Sequence, residues 1–264
     1  MTLCIVGAGA MGRWVAETVA AAPAFDADLA FADTDGGAAA DAAAAFDAAA
    51  TVPLADGTPE DDRTFETVCL AVPIPAVEDA VAAWAPHAEA AMLDLSGVMA
   101  GPVAAMREQL PDRERASLHP LFAPQRAPGN VALVADAVGP TLTPLLDALR
   151  DAGNELFETT PEEHDDAMRT VQAKSHAAVL AWALAGDDVR EEFHTPVSAG
   201  LADIAATVTE GDARVYADIQ DAFGGADAVA EAARAVADAD GEAFADLYAE
   251  AGASADALST EGER

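Results

Sequence analysis

The chain is 264 residues long and 52% hydrophobic, enough for one large or two ordinary globular domains with real cores. Its 47 acidic residues stand against 13 basic ones, a formal charge of −34 that repels nucleic-acid phosphate and anionic lipid alike and argues against both as partners. No apolar run reaches about 18 residues, and Met1 leads straight into Leu3-Cys4-Ile5-Val6 with no basic leader, so neither a spanning helix nor a signal peptide is expected and the protein reads as soluble and cytoplasmic. The acidic excess is spread along the whole sequence, and Lys174 is the only lysine. That pattern predicts adaptation to a salt-rich cytoplasm, where screening relieves carboxylate repulsion that would destabilise the compact state at low ionic strength. Cys4 and Cys69 sit in apolar runs as small buried hydrophobes, so neither a disulfide nor a metal site is expected.

In chain order, strands are predicted at 2–6 (TLCIV), 28–33, 51–54, 66–72, 90–96 and 116–119, separated by Ala-rich helical stretches. This is the pattern of a parallel sheet covered by helices on both faces. The biased stretch from Asp33 to Ala50 is compatible with a helix. Further strands at 131–137 and 155–160 flank a helix beginning near Pro140. Thr160-Pro161-Glu162-Glu163 then opens a helix with its cap, an N1 proline and a carboxylate at N3. From there the chain reads as helical to about Gly252, with breaks near Gly186, Pro196, Gly211, Gly224 and Gly241 and a frayed tail. The fold class is therefore α/β, a Rossmann-type nucleotide-binding domain over 1–160 followed by an all-helical domain over 161–264. The helical part is small and poor in aromatics, so a homodimer through it is the expectation.

After the first strand comes Gly7-Ala8-Gly9-Ala10-Met11-Gly12, a G-x-G-x-x-G in its strand-turn-helix setting. Gly7 permits the tight turn, Gly9 the close approach of a pyrophosphate, and Gly12 the packing of helix on strand. Asp33, 21 residues after Gly12, is placed to bind an adenosine ribose diol. With no Arg or Lys next to it in sequence and Thr34-Asp35 following, the predicted cofactor is NAD rather than NADP. Val72 and Pro73, after the fourth strand, complete the predicted cofactor site, since ligands bind at the carboxyl ends of such strands.

Two more segments lie at strand ends: Asp94-Leu95-Ser96-Gly97-Val98 and His119-Pro120-Leu121-Phe122-Ala123-Pro124. With the glycine loop, and with Glu163-His164-Asp165 leading to Gln172-Ala173-Lys174-Ser175-His176, they resemble the prephenate and arogenate dehydrogenases of tyrosine biosynthesis, in order and spacing, up to about Ala185. The resemblance implies oxidative decarboxylation of prephenate to 4-hydroxyphenylpyruvate, or of arogenate to tyrosine, with hydride passing to NAD. It implies His119 as the neutral imidazole that takes the C4 hydroxyl proton, with Ser96 binding the same hydroxyl or positioning the nicotinamide. No chorismate mutase segment precedes the glycine loop and no regulatory domain is seen, so a monofunctional enzyme is expected.

At 100° per residue, Asp165, Arg169, Gln172 and His176 fall on one helix face, which predicts that this face closes over the substrate, Arg169 and His176 meeting its carboxylates, Gln172 also binding it, while Asp165 orients a neighbour. The family carries an arginine in the later helix where this chain has Asp203, so Arg169, Arg126 or Arg214 must supply the charge, or the substrate must suit an acid, as the ammonium of arogenate would. Ala123 replaces the family's glycine. Two rival readings remain. A β-hydroxy-acid or imine oxidoreductase would use Lys174, and a non-catalytic NAD-binding regulator would carry Asp203 as the mark of a lost substrate site.

Overall fold

The structure, a computed structural model, describes residues 1–23, 25–46 and 49–259. The chain divides into two compact units, Met1–Met168 and Arg169–Arg264. The helix that opens at Pro161 therefore lies in the first unit, eight residues beyond the boundary read from the sequence.

In the first unit, strands and helices alternate: β1 (Thr2–Val6), α1 (Ala10–Ala21), β2 (Asp28–Ala32), α2 (Gly36–Ala43), β3 (Ala50–Val52), a hairpin of β4 (Leu54–Ala55) and β5 (Thr58–Pro59), then β6 (Phe65–Leu70) and α3 (Val77–Trp84). There follow β7 (Ala88–Asp94), α4 (Ala100–Gln109), β8 (Glu114–Pro120), β9 (Asn130–Ala137), α5 (Thr143–Asp151), β10 (Glu155–Glu158) and α6 (Pro161–Met168). Eight of the strands form one sheet in the order β10-β9-β8-β7-β6-β1-β2-β3. From β3 to β8 every pair is parallel, so the carboxyl ends of these strands share one edge.

One strand departs from the parallel pattern. β9 runs antiparallel to β8, with His119 opposite Ala132. Only residues 121–129 join the two strands and they contain no α-helix, whereas a parallel return needs a longer crossover, usually helical. The run at 51–54 also divides: β3 stays in the sheet, and β4 pairs with β5 around Asp56-Gly57, both at positive φ. That Asp-Gly turn is a hairpin signal the sequence reading passed over.

Alternation along β1 sends Leu3 and Ile5 to one face and Cys4 and Val6 to the other, and all four are buried. The first face packs against Trp14, Val15, Leu145 and Leu149 of α1 and α5. The second packs against Val81, Trp84, Val103 and Met106 of α3 and α4. Burial on both faces is what makes these strands read as continuous apolar runs. Cys4 and Cys69 are free and buried, and burial raises both thiols far above their ordinary range. Thr160 caps α6 as predicted, its hydroxyl accepting from the Glu163 N–H at 3.1 Å.

The second unit begins with a π-helical segment, Arg169–Lys174, and continues as α7 (Ser175–Ala185), α8 (Pro196–Thr209), α9 (Ala213–Phe223), α10 (Ala226–Asp238) and α11 (Gly241–Ser259). The predicted breaks coincide with caps: Gly186 after α7, a Thr195–Ser198 capping box with Pro196 in the first turn of α8, and Gly224 at positive φ after α9. The end does not match, since α11 runs through Gly252 to Ser259. Among the described residues no helix is long and apolar enough to cross a membrane.

Candidate active site

The loop from β1 into α1 is a cradle that only small residues can form. Gly7 has φ +102°, and a Cβ there would stand 2.2 Å from the Ala71 carbonyl oxygen. A Cβ on Gly12 would stand 2.0 Å from the Gly7 carbonyl oxygen, so the helix sits directly on the turn. At Gly9 a Cβ would meet nothing within 4 Å, which leaves room above the first turn of α1. Gly9 is the N-cap residue and brings no side chain to the amides that follow, Ala10 and Met11 among them, so they are available to an anion. Val72, whose N lies 3.4 Å from the Gly7 Cβ position, flanks the loop and leads into Pro73.

Asp33 follows β2 at the same edge, its carboxylate accepting from the N–H of Ala8 at 2.7 Å and of Asp35 at 2.9 Å. The glycine turn, the room above Gly9 and this acid fit a dinucleotide with a free ribose diol. The sequence reading found no cation beside Asp33, but Arg13 is folded against the same loop. Its guanidinium donates to the carbonyls of Ala8 at 3.0 Å and Ala38 at 3.3 Å.

Three strands along, β7 ends at Asp94 and β8 at Pro120. Asp94 is fully buried, and its Oδ1 accepts from the Ser96 N–H at 3.1 Å and hydroxyl at 2.7 Å. Burial pushes its carboxyl up to about 6, against the hydroxyls of Ser96 and Ser117, which favour the charged form. The Ser96 hydroxyl also lies 2.5 Å from the Val98 carbonyl, so its proton is directed into the Asp94-to-Val98 turn and its lone pairs remain as acceptors.

His119 is only 8% exposed. Burial, reinforced by His164 and opposed by Asp165, pushes the imidazole down to about 3, which favours the neutral ring. A Cβ on Gly97 would lie 3.7 Å from His119 Nε2 and 3.1 Å from Ile74 Cδ1, which places Nε2 at the carboxyl edge of the sheet beside a residue without a side chain.

His119 Nδ1 lies 2.9 Å from His164 Nε2, and His164 Nδ1 lies 2.8 Å from Asp165 Oδ1. Asp165 also accepts from the N–H of Met99 at 3.0 Å and of Ala100 at 3.1 Å, at the start of α4. Burial raises its carboxyl, but the hydrogen bonds from His164, Ala100 and Met99 outweigh burial and hold it below the ordinary range. His164 escaped the sequence reading as a site residue. The available signal was its place with Pro161 and Met168 on the buried stripe of α6, where a polar ring needs a partner.

A π-helical segment, Arg169–Lys174, interrupts the helical run that carries Asp165, Arg169, Gln172 and His176. The i→i+5 bonds of the π-helical segment turn more slowly than 100° per residue, so the four do not keep the phase of one α-helical face. Asp165 belongs to the first unit and faces α4, whereas Arg169, Gln172 and His176 belong to the second. There His176 stacks edge-on against Tyr216 with ring centroids 4.8 Å apart, and burial lowers its pKa. Arg126 closes the 3-10 turn Pro124–Arg126 after the His119 segment and is exposed. Asp203 is exposed on α8 and Lys174 ends the π-helical segment.

No protein-family model matches the chain. It is 32% identical over 206 residues, 70% of this chain and 69% of the relative, to a 4-amino-4-deoxyprephenate dehydrogenase of Streptomyces pristinaespiralis. Among solved structures it resembles a prephenate dehydrogenase of A. aeolicus, in complex with hydroxyphenyl propionate and NAD+, with a TM-score of 0.63 at 18% identity over 89% of this chain and 87% of that one. It also resembles the arogenate dehydrogenase of Synechocystis, with a TM-score of 0.61 at 16% identity over 98% of this chain and 100% of that one.

Proposed function

The chain belongs to the prephenate/arogenate dehydrogenase family of NAD-dependent oxidoreductases, and from that premise we propose that it oxidises and decarboxylates a prephenate-type cyclohexadiene, with His119 as the group facing C4 of the ring. The observation that carries this reading is the buried His119 at the same sheet edge as the glycine cradle. Gly7 to Gly12, with Ala8, Ala10 and Met11 between them, would hold the pyrophosphate, Asp33 the ribose diol, and Val72 and Pro73 the flank. A bound NAD supplies the hydride acceptor.

His119 accepts a hydrogen bond from the C4 substituent and draws charge from it as hydride leaves C4. The bond from C1 to the carboxylate breaks, carbon dioxide departs, and its electron pair completes the aromatic ring. With a C4 hydroxyl the proton stays with the phenol and none is released overall. With a C4 ammonium one proton must go to solvent, because the product is a neutral arylamine. Ser96, committed to Asp94, holds the turn that carries Gly97 past His119. Arg169, Gln172 and His176, with Arg126, are the candidates for the substrate carboxylates.

The similarity to an enzyme named for an amino-substituted substrate gives three candidates: prephenate, arogenate and 4-amino-4-deoxyprephenate. Each is offered with NAD in molar potassium chloride, and absorbance of the reduced nicotinamide is followed beside a His119→Asn variant. Turnover of one substrate, falling about 10²- to 10⁴-fold in the variant, is expected. Proton release measured with the winning substrate separates amine from hydroxyl. Silence with all three in folded protein that binds NAD would favour the regulator reading, and loss of activity in Lys174→Ala but not in His119→Asn the hydroxy-acid or imine reading.

The charge of −34 supports a salt-rich cytoplasm as the protein's setting. Exposed apolar side chains on the second unit, Leu184 and Tyr248 among them, support a homodimer through its helices.

A further inference from the structure

The geometry points to His164 and Asp165 as positioning residues that set the tautomer of His119, holding its proton on Nδ1 so that Nε2 meets the substrate as an acceptor. The inference rests on the reading of His119 as the residue facing C4.

The chain of donors starts at Asp165. Its carboxylate can only accept, and it lies 2.8 Å from His164 Nδ1, so that nitrogen carries a proton. In a neutral imidazole the other nitrogen is then an acceptor, so His164 Nε2 receives. Its partner at 2.9 Å is His119 Nδ1, which must therefore donate. Neutral His119 is left with an unprotonated Nε2, the nitrogen beside Gly97 at the sheet edge. The opposite tautomer would present an N–H to a hydroxyl or amine that has to lose charge, and would work against the oxidation.

The pair is buried and held by hydrogen bonds. His164 is 3% exposed, and the two rings meet edge-on at an interplanar angle of 72°. Asp165 is pinned by the two backbone amides at the start of α4. Asp94 on β7 also lies within electrostatic reach of His164. A doubly protonated His164 would reverse the order, donating to His119 Nδ1 and forcing the proton of His119 onto Nε2.

The decisive experiment is nitrogen-15 NMR of the histidine rings in the full chain at neutral pH in molar potassium chloride, with signals assigned through His119→Asn and His164→Asn variants. Both rings are expected to show a protonated Nδ1 and a bare Nε2. A protonated Nε2 on His119, or an imidazolium at His164, overturns the inference. His164→Phe fills much of the same space without an acceptor. It is expected to move the His119 proton to Nε2 and lower kcat about 100-fold or more at an unchanged KM for NAD. His164→Asn, whose amide oxygen can accept from Nδ1, should recover part of that loss. A His164→Phe enzyme within threefold of the parent kcat also overturns the proposal. If His164→Phe does not fold, the ring spectrum of the parent still decides. The expected tautomers without turnover of any cyclohexadiene would instead count against the function proposed for the site.

Discussion

The two units are built on opposite terms. In the first, a sheet buried on both faces carries two apolar clusters, and side chains as large as Trp84, Phe31 and Met92 are sealed from solvent. In the second, buried hydrophobic residues are few and small, such as Ala173, Ala177, Val208 and Ile219, while Leu184 stands 86% exposed and Tyr248 75%. Helices of similar Ala-rich composition thus end in two situations. The first unit can be argued as a fold from its own residues, whereas the second leaves large apolar side chains exposed.

The contrast is easiest to break with glycines, because the same substitution should act in opposite directions in the two units. Gly7→Ala forces a Cβ onto the Ala71 carbonyl at positive φ, and a loss of about 3 kcal/mol or more, with NAD binding abolished, is expected by chemical denaturation and calorimetric titration. Next in size is the buried charge at Asp94. Its folded-state pKa, about 6 against an ordinary 3.8, means that the native chain holds a proton the unfolded chain releases. The associated stability is present below about pH 4, fades as pH rises towards 6, and leaves a cost of about 3 kcal/mol above that. Asp94→Asn should therefore raise the denaturation midpoint at pH 8 and flatten its fall between pH 4 and 6; a variant with the parent's pH profile would show the carboxyl to be no burden.

In the second unit Leu184→Glu tests the proposed homodimer: a fall from dimer to monomer mass in sedimentation is expected, with the unfolding of the first unit barely changed. An unchanged mass would count against a homodimer through this face. The smallest effect is Gly200→Ala on α8, where a Cβ meets nothing within 4 Å. A gain of about 1 kcal/mol in helix stability is expected there, read as a higher melting temperature.

What could be read from the sequence follows the same division. Strands buried on both faces announce themselves as apolar runs, and the glycine loop is readable because sterics leave it no alternative. The antiparallel turn of β9 depends on a loop length that was visible but not weighed. The π-helical segment had no local signal. It occurs where Gln220 donates to the Ala173 carbonyl at 2.7 Å and where a Cβ on Gly225 would stand 2.8 Å from the backbone of Ala173 and Lys174, contacts made by residues about 50 positions away. The site was half legible. His119 and Ser96 are read from their motifs, whereas the face that groups Asp165 with Arg169, Gln172 and His176 is drawn at 100° per residue and cannot anticipate a change of helix type. His164 is legible only through the buried stripe it shares with Pro161 and Met168 on α6.

Asp165 Oδ1 receives both the His164 proton and the Met99 amide at the start of α4, so one atom belongs to a helix terminus and to the histidine pair together. A substitution there is judged twice, once by folding and once by turnover. Random drift could relax either demand if they fell on separate residues, but here it cannot loosen one without the other. Thermal loosening should obey the same rule: as the first turn of α4 frays, the orientation of His119 should be lost in the same event, and activity should fall before the sheet itself melts.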